Sequence, residues 1–237
     1  MRAQRSRCLA LILASVLIMA PCAFAQSDGL ERSPSTREAG ERALTLYHDG
    51  REALDRGELA EAAQHFRRAL SLDQALDAAR RDYARILITA GRPERAQTLL
   101  AQGIALPDPE PATARLLART ARDNGNLRTA IRALERIHPR VDPDDRVVRA
   151  NLAALHRQQG DHLAAASLYA ELRDAHPTEP QWILGEAVSR DHAGQATDAH
   201  AAWSALTNHD GLDPAIQDHA SARIRALEVA QLPSAGD

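Results

Sequence analysis

The chain contains no lysine: all 29 of its basic residues are arginine. That absence removes Schiff-base chemistry and a lysine base from the catalytic mechanisms open to it. An arginine-biased codon usage accounts for it more simply than a selected role. Cysteine is almost as scarce. The two that occur, Cys8 and Cys22, lie within residues 1–25, a stretch with the features of a signal peptide. Arg2, Arg5 and Arg7 make a basic start, residues 8–20 carry no charge, and Ala23-Phe24-Ala25 has the small-x-small pattern that a signal peptidase reads. Cleavage is therefore expected between Ala25 and Gln26, giving a periplasmic or secreted protein. The mature chain would then have no disulfide, thiolate nucleophile or thiolate metal site. Retention as an uncleaved membrane anchor is the alternative, because the apolar stretch 8–25 approaches the shortest length that spans a bilayer. A lipoprotein is disfavoured by Pro21 directly before Cys22.

Other absences narrow the function. No HExxH, P-loop, GxGxxG or GxSxG pattern occurs. The ten histidines do not follow metal-ligand spacing, and His192 and His200 fall on opposite sides of a turn at Gly194. His138, His156, His162 and His176 sit in neighbouring units, which leaves only adventitious metal binding open. Asp142, Asp144 and Asp145 lack the glycine and distal glutamate of a calcium loop, so helix N-capping is their expected role. Aromatic residues make up 3% of the chain, too few for base-stacking platforms. Removal of the three leading arginines takes the formal charge from −3 to −6, which argues against a nucleic-acid partner. The expectation is a non-catalytic protein without metal or cofactor.

What is present is a period. Glycine recurs at Gly57, Gly91, Gly125, Gly160 and Gly194, in steps of 34, 34, 35 and 34 residues. Five places after each stands alanine: Ala62, Ala96, Ala130, Ala165 and Ala199. Nine places after stands a larger residue: Phe66, Leu100, Leu134, Tyr169 and Trp203. Twelve places after come Ala69, Gly103, Ile137, Leu172 and Leu206. Such a pattern describes stacked helical hairpins. The glycine takes a left-handed turn, the alanine lets two helices approach, and the larger side chain fills the gap to the next hairpin.

These spacings resemble the tetratricopeptide-repeat (TPR) family, most clearly in Gly57-Glu-Leu-Ala-Glu-Ala62 with Phe66 and Ala69-Leu70. Leu152-Ala153 through Gly160-Asp161, Ala165 and Tyr169 to Pro177 is similar. The resemblance implies an all-α TPR solenoid of about five helix-turn-helix repeats, at residues 43–76, 77–110, 111–145, 146–179 and 180–213 within a repeat region of 38–213. Residues 26–37 read as a flexible tether, 214–231 as a C-terminal capping helix and 232–237 as a disordered tail. Two places in the second repeat depart from the pattern: Arg80 stands where a packing residue is expected, and Gly103 where alanine is usual.

In TPR proteins the first helix of each hairpin lines a concave groove. Carried onto this chain, the groove positions hold Tyr47 and Arg51, then Arg81 and Arg85, then Arg115, Arg119 and Arg122, then Arg157, and finally Leu184, Val188 and His192. Arginine fills seven of the 25 places, against three acids, Asp55, Asp123 and Asp191. A basic stripe in an acidic protein implies a protein or peptide partner, with an acidic segment or a free C-terminus as the ligand.

A narrower resemblance lies in Trp182-Ile-Leu-Gly185-Glu-Ala187-Val-Ser189, then Gly194, Ala199 and Leu212-Asp-Pro214. This run is similar to the periplasmic TPR domain of the MshN family, from the MSHA-type, type IV pilus biogenesis system. Gly91-Arg-Pro-Glu-Arg-Ala96, Leu99-Leu100, Gly103-Ile104-Ala105-Leu106 and Ala153-Ala154-Leu155-His156-Arg157 are similar too. It implies a periplasmic scaffold or adaptor for pilus-like or secretion machinery. That family is held by an inner-membrane helix after a cytoplasmic stretch, whereas here the signal-like segment comes first. A chaperone or assembly factor for other envelope cargo, such as polysaccharide-export or cytochrome-maturation machinery, is the alternative.

Overall fold

The computed structural model describes residues 34–140 and 146–231. The signal-like segment, most of the tether, Asp142, Asp144 and Asp145, and the tail 232–237 lie outside the described residues. Among those described there are eleven α-helices and no strand. They pair as α1 (Pro34–Asp55) with α2 (Leu59–Leu72), α3 (Asp77–Thr89) with α4 (Pro93–Ile104), and α5 (Pro111–Asp123) with α6 (Leu127–Ile137). After a 3-10 turn at His138–Arg140 come α7 (Arg146–Gln159) with α8 (His162–Ala175), α9 (Pro180–His192) with α10 (Ala196–Thr207), and then α11 (Pro214–Gln231). Each helix packs on the ones before and after it, as in an all-α solenoid.

One turn closes every hairpin. Gly57 has φ +80°, and the following Glu58 N–H donates to the Ala53 carbonyl at 2.9 Å. The equivalent bonds run from Arg92 to Leu87, Asn126 to Ala121, Asp161 to His156 and Gln195 to Arg190. This left-handed closure satisfies carbonyls left over at the helix end, and only glycine enters it without strain. The recurring alanines and larger residues are all buried, Phe66, Leu100, Leu134 and Trp203 almost completely. Each such leucine or phenylalanine contributes about 1.5–3 kcal/mol by leaving water.

The two departures in the second repeat form one arrangement. Arg80 is buried; its Nη1 donates to Asp77 and its Nη2 to the Gln74 carbonyl at 2.5 Å. A Cβ on Gly103 would stand 2.9 Å from both Arg80 Cδ and Asp77 Oδ1. Glycine at 103 therefore makes the room that arginine at 80 requires.

The apolar core is divided. One cluster spans α1 to α3, a second α3 to α8, and a third α9 to α11. At the boundary between the second and third sits Glu186, buried and held by Arg173 of α8 and by Arg190 of its own helix.

The N-terminal boundary differs from expectation. Residues 34–37 were expected in the tether, but α1 already begins at Pro34. Proline is well suited to a first helical turn, where its missing N–H costs nothing. At the other end, Pro214 lies 34 residues after Pro180, so α11 keeps the spacing of a further first helix. It packs on α10, and its Arg223 reaches back to α9.

Candidate functional site: the groove of first helices

The first helices α1, α3, α5 and α7 place most of the expected arginines along one face, where two depressions carry different charge. The first, about 230 Å³, is lined by Arg51, Asp55, Asp82 and Arg85, with Leu54, Leu59 and Ile86. Two arginines there meet two aspartates. Asp82, 7% exposed, is the centre: it accepts from Tyr47 Oη at 3.3 Å, from Arg51 Nη1 at 3.4 Å and from Arg85 Nη1 at 2.5 Å. The Tyr47 hydroxyl first, and then the Asp82 charge, hold the Arg51 guanidinium more firmly protonated than usual.

The second depression, about 430 Å³, lies between α5 and α7. Arg85, Arg115, Arg119 and Arg122 line it, over Leu116 and Leu155, with Val147, Asn151, Ala154 and Gln158 from α7. No acidic side chain among the described residues joins this lining. Arg119 is exposed and makes no ion pair or hydrogen bond among the described residues. Arg122 pairs only with its neighbour Asp123, at 3.0 Å and exposed to solvent, an arrangement worth little. Cations gathered over an apolar floor raise the local potential for an approaching anion.

Two expected groove residues stand apart. Arg81 turns to the start of α5, donating to Glu110 Oε2 at 2.6 Å and to Thr113 Oγ1 at 3.3 Å, and so ties α3 to α5. Arg157 is exposed but does not line the depression; its charge acts on the Tyr169 phenol of α8, which burial pushes upward. In the fifth hairpin, Leu184 and Val188 pack against the third core cluster. The groove residue that periodicity missed is Asp82, which falls between the assigned places. An aspartate three residues before Arg85 on a helix is a legible signal of such a pair. The amides Asn151 and Gln158 and the apolar Val147 and Ala154 of α7 were likewise not singled out.

At the C-terminal end α11 closes over Asp191. Arg223 Nε and Nη2 donate to its two oxygens at 2.8 and 2.7 Å, and Trp203 Nε1 donates at 3.3 Å. These bonds, Arg223 foremost, hold the Asp191 carboxyl below its ordinary range against the opposing effect of burial. His162 and His192 stack with ring centroids 5.0 Å apart. Among the described residues, no three of histidine, cysteine, aspartate and glutamate are placed to hold a metal ion, and no helix is long and apolar enough to cross a membrane.

Known proteins share this fold. Residues 53–120 match the family model described as tetratricopeptide repeat. Among solved structures, MamA superimposes with TM-score 0.53 at 15% identity, covering 82% of this chain and 100% of that one. YrrB, described as a TPR protein with an unusual peptide-binding site, gives 0.56 at 14%, covering 80% and 98%. A tetratricopeptide repeat protein from Parabacteroides merdae gives 0.53 at 14%, covering 82% of each chain. No curated protein matches by sequence. Residues 53–120 thus match tetratricopeptide repeats, and the chain has the all-α solenoid fold of these structures.

Proposed function

We propose that this protein is a non-catalytic interaction scaffold that holds an acidic segment or free C-terminus of a partner protein against α5 and α7. The observation that carries the reading is the second depression, where four arginines surround an apolar floor, no acidic side chain among the described residues joins the lining, and Arg119 makes no ion pair among those residues. Guanidinium groups take carboxylates in paired hydrogen bonds, and leucine and valine surfaces take the neighbouring side chains. The structural likeness to YrrB, whose description includes a peptide-binding site, favours a peptide-like occupant over a small metabolite.

The compartment and the machine rest on sequence features alone. The signal-like residues 1–25 support export with cleavage after Ala25, and the MshN-like runs support a scaffold or adaptor role in type IV pilus-like or secretion assembly. Crosslinking in intact cells followed by mass spectrometry tests this. Pilus or secretion components should be recovered with the wild type and lost when Arg115 and Arg119 are reversed to glutamate. Recovery of only polysaccharide-export or cytochrome-maturation proteins would reject the pilus role and favour a chaperone for those systems.

A further inference from the structure

We infer that Asp82 sets the N-terminal limit of the anion-binding part of the groove, so that the ligand is a short segment with one acidic group beside apolar residues, seated across α5 and α7. The inference rests on the groove reading above and specifies which ligand that groove accepts.

The basic stripe is uneven because the protein supplies its own anions at one end. Arg51 and Arg85 converge on Asp82, and Arg81 is tied to Glu110. A ligand carboxylate arriving between α1 and α3 would have to displace Asp82 from its arginines. The arginines are half exposed and rehydrate readily, with side chains 51% and 59% accessible, whereas the Asp82 side chain is 9% accessible. Displacement would strand a buried carboxylate with Tyr47 as its remaining donor, and an uncompensated buried charge is strongly unfavourable. Acidic groups are therefore turned away from this end.

The constraint ends at Arg85, which lines both depressions. Beyond it Arg119 has no carboxylate among the described residues, and Arg122 has only a solvated neighbour. Val147, 55% exposed, and the partly buried Leu116 give an apolar surface next to these cations. Asn151 and Gln158 offer amide donors and acceptors to a peptide backbone. One acidic group followed by leucine-like side chains matches this order of chemistry; a long polyacidic segment does not.

The test uses a fluorescein-labelled Gly-Glu-Leu-Leu amide, which carries one peptide carboxylate, the matching Gly-Gln-Leu-Leu amide as the control without it, and fluorescence anisotropy with residues 26–237. Wild type should prefer the acidic peptide. Arg119→Gln should weaken it about tenfold or more, and Arg51→Gln less than about twofold. Asp82→Asn should tighten binding several-fold and make Arg51→Gln costly in that background. Unchanged or weaker binding by a folded Asp82→Asn protein, with Arg119 still essential, would overturn the inference and leave the groove reading standing. If Asp82→Asn does not fold, the single variants decide: equal losses for Arg51→Gln and Arg119→Gln would overturn it. Wild type that does not distinguish the two peptides, or indifference to Arg119→Gln, would reject the groove reading and the inference with it.

Discussion

Two depressions of the groove use the same residue type for opposite ends. Between α1 and α3, arginines are spent on the fold: Arg51 and Arg85 neutralise Asp82, and Arg81 fastens α3 to α5 through Glu110 and Thr113. Between α5 and α7, Arg119 and Arg122 have no buried partner among the described residues and face solvent over an apolar floor. An arginine count along a TPR groove therefore overstates the charge offered to a ligand. What matters is how many of those cations the protein has already answered.

That contrast is sharpest in stability. Changing Arg51 and Arg85 together to glutamine leaves the buried Asp82 carboxylate with Tyr47 alone and should cost about 3 kcal/mol. The same change at Arg119 and Arg122 should stay within about 0.5 kcal/mol, as at ordinary surface sites. Urea denaturation followed by circular dichroism measures both, and equal losses would erase the distinction between the two regions.

A smaller effect tests whether the structural use of charge extends beneath the groove, to the pair inside the second repeat. Gly103→Ala pushes a methyl group onto Arg80 and Asp77 and should cost about 1–3 kcal/mol, the usual penalty of overpacking. Adding Arg80→Leu should recover part of that loss. A destabilisation that Arg80→Leu leaves unrelieved would show that the two departures are independent.

The smallest expected effect concerns the capped end, where Asp191 again belongs to the fold. Its carboxyl is held below the ordinary range by Arg223, so its protonation favours the unfolded chain. The pair's contribution is complete above the normal carboxylate range and is lost as pH falls through the lowered value. Wild type should lose more stability than Asp191→Asn does as the pH falls through and below the ordinary carboxylate range. Parallel pH profiles would show that Arg223 contributes nothing through Asp191.

Much of this architecture was legible because it repeats. A left-handed turn strongly favours glycine, and a close helix contact favours alanine. Gly57 to Gly194 and Ala62 to Ala199 thus mark the hairpins by residue identity alone. The family resemblance assigned Arg85, Arg115, Arg119 and Arg122 to groove positions, and these four line one depression of the fold. Pairing between helices far apart in sequence was not legible. Arg51 meets Asp82 across 31 residues and Arg81 meets Glu110 across 29, so which arginines are neutralised depends on how adjacent hairpins stack. The coupling of Arg80 to Gly103 was hidden for the same reason: each departs from the pattern separately, and only their contact gives both a cause.

The claim that the α5–α7 depression is the ligand-binding part of the groove is tested most directly by nuclear magnetic resonance titration of residues 26–237 with the Gly-Glu-Leu-Leu amide. Saturable shifts should concentrate on Leu116, Arg119, Val147, Asn151 and Ala154, and should disappear with Arg119→Glu. Shifts centred on Tyr47 and Arg51, or on the second helices α4 and α6, would contradict it.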